Sequence, residues 1–446
     1  MMKIFKVFGE WSEWGQELAK GLYDHCRWRL PVVLGGMLFA KGRRTVTSWL
    51  RAAGITKGFS DYYHFMASIG RRTEAIAAHL LGLLQPRLPS ASDHVLVAID
   101  DTPTKRYGPK VEGAGIHHNP TPGPAGGKFL YGHVWVTLAW IAHHSQWGTR
   151  AFPLLSKLYV RLKDIAKLPA QYGCSFQTKL QQAATLVEWI KPLVAAGKRL
   201  WVVVDGFYTK RPFLKPVLAT QSVVIGRLRK DAAVYDLPPK LKKGQCRGPG
   251  RPPTYGRKRI SLAKRAGQPR GWQSVECVQY GERVTKTVKS FPATYHPAGG
   301  EIQVVIVRED KGPQFFFGTG SEITAVDVLE GMADRGAVES MFRDLKDIAG
   351  AGQQQVRRFW RNLGAWHLHL WLDSLVELWA WRKGEASLCD RRDSPWDDAE
   401  RRPSHADRRK ALRRQMLREE FSVVTADSPI TSKIRRTFEK MLTLAG

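Results

Sequence analysis

The chain has 446 residues, 43% of them hydrophobic and 10% aromatic, enough for two or three domains around a sizeable core and too apolar for a disordered polyelectrolyte. Its 70 Lys and Arg outnumber 40 Asp and Glu, for a formal net charge of +30 and a pI near 10.1. That excess points to an extended polyanionic partner, most economically nucleic acid, with a ribosomal or membrane-surface role as the alternative.

The opening Met1-Met2-Lys3-Ile4-Phe5-Lys6 lacks the apolar core of a secretion signal. Residues 1–90 then read as an all-helical domain for DNA binding or dimerisation. Apolar residues recur at helical spacing over 11–23, 45–50 and 73–84, with breaks at Gly54 and Gly70. The basic run 43–51, followed by Ala53-Gly54 and a second helical stretch, suits either a helix-turn-helix or a plain helical packing module.

Residues 91–226 read as an α/β unit. The run Val95-Leu96-Val97-Ala98-Ile99 predicts a buried strand and ends in Asp100-Asp101-Thr102. A Gly- and Pro-rich loop over 108–127 follows, carrying His117 and His118, which have no further ligand at metal-site spacing. Strands are predicted at 129–141 and 148–159, then a helix over 178–195. Leu200-Trp201-Val202-Val203-Val204 predicts another buried strand ending in Asp205-Gly206, then a helix after Thr209 and a strand at 222–226.

Between 227 and 270 the composition shifts: fourteen Lys and Arg stand against two Asp, so a tenth of the chain carries two-fifths of its net charge. Short strands are predicted at 272–280, 283–289, 301–307 and 314–318, making 227–320 a basic β-rich insertion. Residues 321–385 hold a helix around Glu339 and a strongly apolar helix over 360–381. In the latter, Trp366, Trp371 and Trp379 pack the core, and His367 and His369 read as buried and hydrogen-bonded. From 386 to 446 Arg alternates with Asp and Glu, a helical tail expected to order in part on assembly. The five cysteines form no Cys-x-x-Cys pair and the longest apolar stretch, 129–142, is too short and polar to span a bilayer. A cytoplasmic protein, with no membrane partner, is expected.

Three acidic sites carry chemistry. Strand-end carboxylates at Asp100-Asp101 and Asp205 lie where α/β sheets collect ligands, although Asp-Gly is also an ordinary turn. On the helix, Arg335, Glu339 and Lys346 fall within ~40° of one another at about 100° per residue, either a solvated salt-bridge face or a functional stripe.

In the order strand Asp, strand Asp, helix Glu, these sites resemble the DDE superfamily of transposases. The closer resemblance is to bacterial cut-and-paste insertion-sequence transposases, whose signature is Tyr, two residues, Arg, three residues, Glu, six residues, Lys. Arg335, Glu339 and Lys346 match that spacing, and Met332 departs from it at the Tyr position. The likeness runs from about Ile99 to His369. It implies an RNase H-like catalytic core interrupted by the β-rich insertion, and two Mg²⁺ ions, replaceable by Mn²⁺, held by Asp101, Asp205 and Glu339. Asp100 and Asp101 point to opposite strand faces, and the resemblance favours Asp101 because relatives carry the ligand directly before Thr, here Thr102. It further implies Arg335 and Lys346 on the DNA backbone, a hairpin intermediate, a flipped base held by aromatics, and a homodimer on double-stranded DNA in the bacterial nucleoid. Arg247, Arg251 and Trp272 are the DNA-contact candidates of the insertion. Arg247-Gly248-Pro249-Gly250-Arg251-Pro252-Pro253 resembles an AT-hook, with a basic linker as the alternative. A catalytically inactive relative and another RNase H-like nuclease are the competing classes.

Overall fold

The computed structural model describes residues 9–88, 92–119, 126–239, 250–320, 322–389, 396–398, 400–424 and positions 432, 434, 435, 437, 438 and 441. Among the described residues, five helices of seven residues or more open it: α1 (Gly9–Ala19), α2 (Arg29–Phe39), α3 (Val46–Ala52), α4 (Phe59–Arg71) and α5 (Thr73–Arg87). The α/β unit follows as β1 (His94–Lys105), β2 (Gly115–His118), β3 (Phe129–His144), β4 (Gly148–Tyr159), α6 (Lys179–Ile190), β5 (Arg199–Val204), α7 (Arg211–Ala219) and β6 (Val223–Arg227). The basic insertion gives β7 (Val234–Tyr235), β8 (Arg259–Ile260), β9 (Gln273–Gln279), β10 (Glu282–Tyr295), β11 (Gly300–Val307) and β12 (Gln314–Thr319). Four longer helices follow among the described residues: α8 (Ala325–Asp334), α9 (Gly336–Asp347), α10 (Phe359–Ala380) and α11 (His405–Val424).

All twelve strands of the described residues join one mixed sheet in the order β2-β3-β1-β5-β6-β12-β11-β10-β7-β8, with β4 on β3 and β9 on β10. Antiparallel β4, β3 and β1 lead into parallel β5 and β6. Leu200 to Val204 are buried on both sides, as a strand sandwiched between helices must be. Helices α8, α9 and α10 cover one face and α6 and α7 the other. Trp366 of α10 stacks on Trp135 of β3 at 4.7 Å, and His367 accepts the Ser156 N–H of β4 at 3.0 Å.

Several readings are changed or narrowed. The strands of the insertion prolong the core sheet, because β12 pairs antiparallel with β6. Asp100 and Asp101 lie inside β1 and not at its end, because β1 runs on to Lys105 along β3. His117 and His118 lie in β2, an edge strand on β3, and not in a loop; burial pushes the His117 imidazole down to about 4. The second helix of the candidate helix-turn-helix, α4, buries Tyr62, Phe65, Met66 and Ile69 and packs along α10, so it serves packing. Within the tail, α11 packs onto the rest of the chain: its Arg408 pairs with Glu377 at 2.6 Å while Arg409 and Arg413 bond carbonyls at the end of α2. His367 is hydrogen-bonded as expected; buried His369 has neither ring nitrogen bonded and packs edge-on against Trp49.

The α4–α10 crossing depends on two glycines. A Cβ on Gly70 would collide with the Trp360 carbonyl oxygen, and one on Gly364 with that of Met66. Backbone atoms cannot retreat as a flexible side chain can. Gly70→Ala is expected to lower the urea stability of the chain by about 1–3 kcal/mol, whereas Gly82→Ala, where a Cβ meets nothing within 4 Å, leaves it unchanged or slightly raised; equal effects would show that the helices can separate at no cost.

Candidate active site

Strands β1 and β5 are parallel, with Ile99 level with Val204. One step further along each strand stand Asp100 and Asp205. Level residues on neighbouring strands share a face, and successive residues alternate, so Asp100 and Asp205 face α8 and α9 while Asp101 faces α6. Packing agrees: a Cβ on Gly331 of α8 would touch Val203 and Ile225, the face two residues before Asp205.

Arg335 ends α8 and begins α9, a junction that splits the helix anticipated around Glu339. Its Nη1 donates to Asp100 Oδ2 at 2.8 Å and its Nη2 to Glu339 Oε1 at 3.0 Å. One guanidinium therefore ties a strand carboxylate to the helix carboxylate. Asp100 is 19% exposed, Glu339 66%. Burial pushes the Asp100 carboxyl up to about 6, Arg335 opposes the shift and Asp205 adds to it. Asp205 is also pushed up, by burial first. Its Oδ1 accepts the Phe207 N–H at 3.0 Å and the Tyr208 N–H at 3.4 Å, so the aspartate both closes the turn and presents its second oxygen.

Asp101, the residue favoured by the adjacent Thr, is engaged elsewhere. Lys179 donates to its Oδ2 at 2.6 Å and the Tyr208 hydroxyl to its Oδ1 at 2.9 Å. Burial, then the Asp101 and Asp100 charges, push Tyr208 well above its ordinary range, which keeps it a donor. Lys346 lies two turns beyond Glu339, where burial lowers its ammonium below the usual range. Met332 packs against the core in place of a tyrosine. Trp272 is half-buried in the insertion, its Nε1 bonded to the Gln268 carbonyl, with Lys289 and Arg308 at 4.7 and 4.5 Å from the ring. Arg251 is exposed, next to Pro252 and Pro253; Arg247 lies outside the described residues. Neither Trp272 nor Arg251 contacts the carboxylates among the described residues.

Sequence reasoning missed Lys179 and Tyr208, because neither stands in a motif and only tertiary folding brings them to Asp101. Among the described residues no three His, Cys, Asp or Glu side chains gather at metal-ligating distance. The donor set nonetheless suits a hard divalent cation: carboxylate oxygens from Asp100, Asp205 and Glu339, with no thiolate or imidazole. The upward shifts of both aspartates mark buried negative charge that a dication would compensate.

Fold and site together define a mixed α/β protein with an acidic centre where the parallel pairing of β1 and β5 ends, close to the usual ligand position in such sheets. Residues 17–290 match the family described as DDE superfamily endonuclease. This span is more than half of the chain, and the protein belongs to that family of enzymes acting on DNA. It takes in Asp100, Asp101 and Asp205 and ends before Glu339. No curated protein matches the chain, and no helix among the described residues is long and apolar enough to cross a membrane.

The Asp100 shift fixes the sign of a pH effect. With its carboxyl raised from the ordinary 3.8 to about 6, the folded chain holds the proton more tightly than the unfolded one. The resulting stability is fully present below pH ~4 and lost as pH rises through ~6. Urea unfolding of the wild type should therefore lose up to about 3 kcal/mol more than Asp100→Asn between these limits; identical slopes would mean that Asp100 titrates normally.

Proposed function

We propose that the protein is an insertion-sequence transposase with an RNase H-like core, which binds the ends of its element, cleaves them and joins them to target DNA. The observation that carries this reading is the level placement of Asp100 and Asp205 on the face covered by the Glu339 helix. Asp100, Asp205 and Glu339 hold the metal, two Mg²⁺ ions with Mn²⁺ able to substitute; when bound, these would activate the attacking water or 3′-hydroxyl and stabilise the leaving oxygen. Asp101 is not a ligand in this reading. It positions Tyr208 and Lys179 behind the ligand strands.

Arg335 has two tasks. Without DNA it neutralises Asp100 and Glu339; with DNA it turns its planar fork to the backbone phosphate, a geometry guanidinium suits. Lys346 adds a second cation to the same helix, and its lowered ammonium suits a partly desolvated phosphate site. Arg247, Arg251 and Trp272 extend DNA contact over the insertion. A hairpin intermediate and a homodimer on the DNA belong to this proposal through the spacing of Arg335, Glu339 and Lys346.

The test is nicking of linear DNA carrying the gene's own flanks, with Mg²⁺, beside gel-shift binding on the same DNA. Asp100→Asn, Asp205→Asn and Glu339→Gln should each cut at least about a hundredfold more slowly with binding retained, and Asp101→Asn should keep measurable cleavage. Full activity of Asp100→Asn together with loss in Asp101→Asn would return the ligand role to Asp101. No cleavage by the wild type on these flanks would remove the transposase reading.

For Arg251, insertion into an A·T-rich minor groove predicts that Arg251→Ala weakens A·T-rich DNA more than G·C-rich DNA of equal length and salt, because phosphate contacts are insensitive to sequence. Equal losses would leave a basic linker.

A further inference from the structure

The β9–β10 hairpin of the insertion turns through Tyr280 and Gly281, between the paired residues Gln279 and Glu282. Both turn residues have positive φ, 56° and 87°. Two-residue turns of this hand are normally built from Asn, Asp or Gly, and a bulky aromatic residue in the left-handed region is strained. The tyrosine does not fill the core in return. It is 69% exposed, and its hydroxyl has no hydrogen-bond partner among the described residues. What its ring touches is Gly336, the first residue of α9. A Cβ on that glycine would stand 3.3 Å from Tyr280 Cε1, and outside its own helix it would meet no other residue within 4 Å.

Gly336 directly follows Arg335, the residue that ties Asp100 to Glu339. On the other side of Arg335, Asp334 is buried; its Oδ1 accepts the Thr149 hydroxyl at 2.7 Å and its Oδ2 lies 3.1 Å from His143 Nε2. Glu330, one turn earlier on α8, accepts the Val278 N–H of β9 at 2.8 Å. Both neighbours of Arg335 are therefore braced, Asp334 by the β3–β4 hairpin and Gly336 by the β9–β10 tip. The first brace is a set of ordinary polar contacts. The second is made with a residue that its own turn disfavours. A strained conformation persists where the surroundings over-determine it, and such positions gather where geometry serves function. The start of α9 has neither a side-chain cap nor a Cβ on its first residue. Its direction therefore depends on what leans on Gly336, and that direction decides where Glu339, one turn on, presents its oxygens.

We propose that Tyr280 is a positioning residue for the cleavage centre: its ring, carried on the tip of the insertion hairpin, fixes the angle between α8 and α9 and through it the placement of Arg335 and Glu339. This inference rests on the reading of the carboxylates as the DNA-cleaving centre. It adds that the insertion acts on the rate of cleavage itself, through a side chain remote in sequence from every acidic residue of the site.

The experiment uses Tyr280→Asn, which suits the turn but removes the ring, with Tyr280→Phe as the conservative partner. Three quantities are measured on each: the urea midpoint, the gel-shift affinity for linear DNA carrying the gene's flank without divalent metal, and the single-turnover rate of nicking that DNA with Mg²⁺. A residue that served only folding would be improved by the turn-forming asparagine; a positioning residue would not. Tyr280→Asn is expected to unfold at the same or a higher urea concentration than the wild type, because the turn is relieved of strain. It should bind the flank with unchanged affinity and nick it at least about tenfold more slowly. Tyr280→Phe keeps the ring edge that meets Gly336 and should nick at the wild-type rate. Wild-type nicking by Tyr280→Asn would overturn the proposal while the cleavage reading stands. A slow Tyr280→Asn whose urea midpoint or DNA affinity also falls would make the residue structural and overturn it equally, as would a slow Tyr280→Phe. A wild type that does not nick its flanks would overturn the cleavage reading and this inference with it.

Discussion

Two carboxylates standing level on neighbouring parallel strands, both largely withdrawn from water, set the terms for everything around them. Burial pushes both upward; Asp205 adds to the rise of Asp100, and Asp101 to that of Asp205. The fold answers with a single cation at a helix junction: Arg335 reaches Asp100 from the end of α8 while holding Glu339 on the first turn of α9. A side chain on α9 alone would have to span from helix to strand without this pivot. The break between α8 and α9 thus has an electrostatic purpose, and the Glu helix is oriented by the charge it faces.

The reverse side of that helix is fixed by a second buried charge group. Glu377 of α10, against burial that pushes it up, is held well below its usual range by Arg408 and His405 of α11. Asp373, one turn before it, is pushed by burial to about 7 with His405 opposing. Asp344 of α9 is raised by burial and feels both His405 and Glu377. Breaking one partner of such a group leaves an uncompensated buried charge, which commonly costs about 3–5 kcal/mol. Helix α11 is therefore part of the platform beneath the site, although its sequence reads only as part of a helical tail of mixed charge.

Periodicity made the α/β unit legible because its strands are uninterrupted β-branched runs, and it placed Asp205 at a strand end; Asp100 and Asp101 instead lie inside β1, which runs on to Lys105 along β3 after its parallel pairing with β5 stops at Ile99. Periodicity could not say which face meets Asp205. Alternation states that Asp100 and Asp101 oppose each other, but the register of β1 on β5 comes from sheet packing beyond either segment. Strand β2 was hidden by its length, four residues on one edge inside a Gly- and Pro-rich stretch. Strand β10 runs on to Tyr295 through Pro292, which sequence reasoning treats as a stop. The proline is tolerated because it sits between the stretches of β10 that pair with β9 and with β7. The packing of α11 was hidden for a related reason: a mixed-charge helix does not say which of its arginines are buried, and only tertiary folding supplies Glu377 and the α2 carbonyls.

The three proposed ligands differ in how firmly they are held, and that difference has a direction. Asp100 and Asp205 extend from strands hydrogen-bonded on both sides, and the Asp205 carboxylate is further tied into its own turn. Glu339 projects from a helix whose first residue has no side-chain cap, with two-thirds of its side chain in water and the Arg335 guanidinium as its bonded partner. Strands give precision, and a hinge-like helix start gives adjustment. In the proposed reading the site completes itself when a phosphate competes for Arg335, because the guanidinium cannot serve a carboxylate pair and a phosphate with the same donors. Substrate arrival and exposure of the glutamate oxygens then become one event, which keeps a DNA-cutting centre incomplete until DNA is in it.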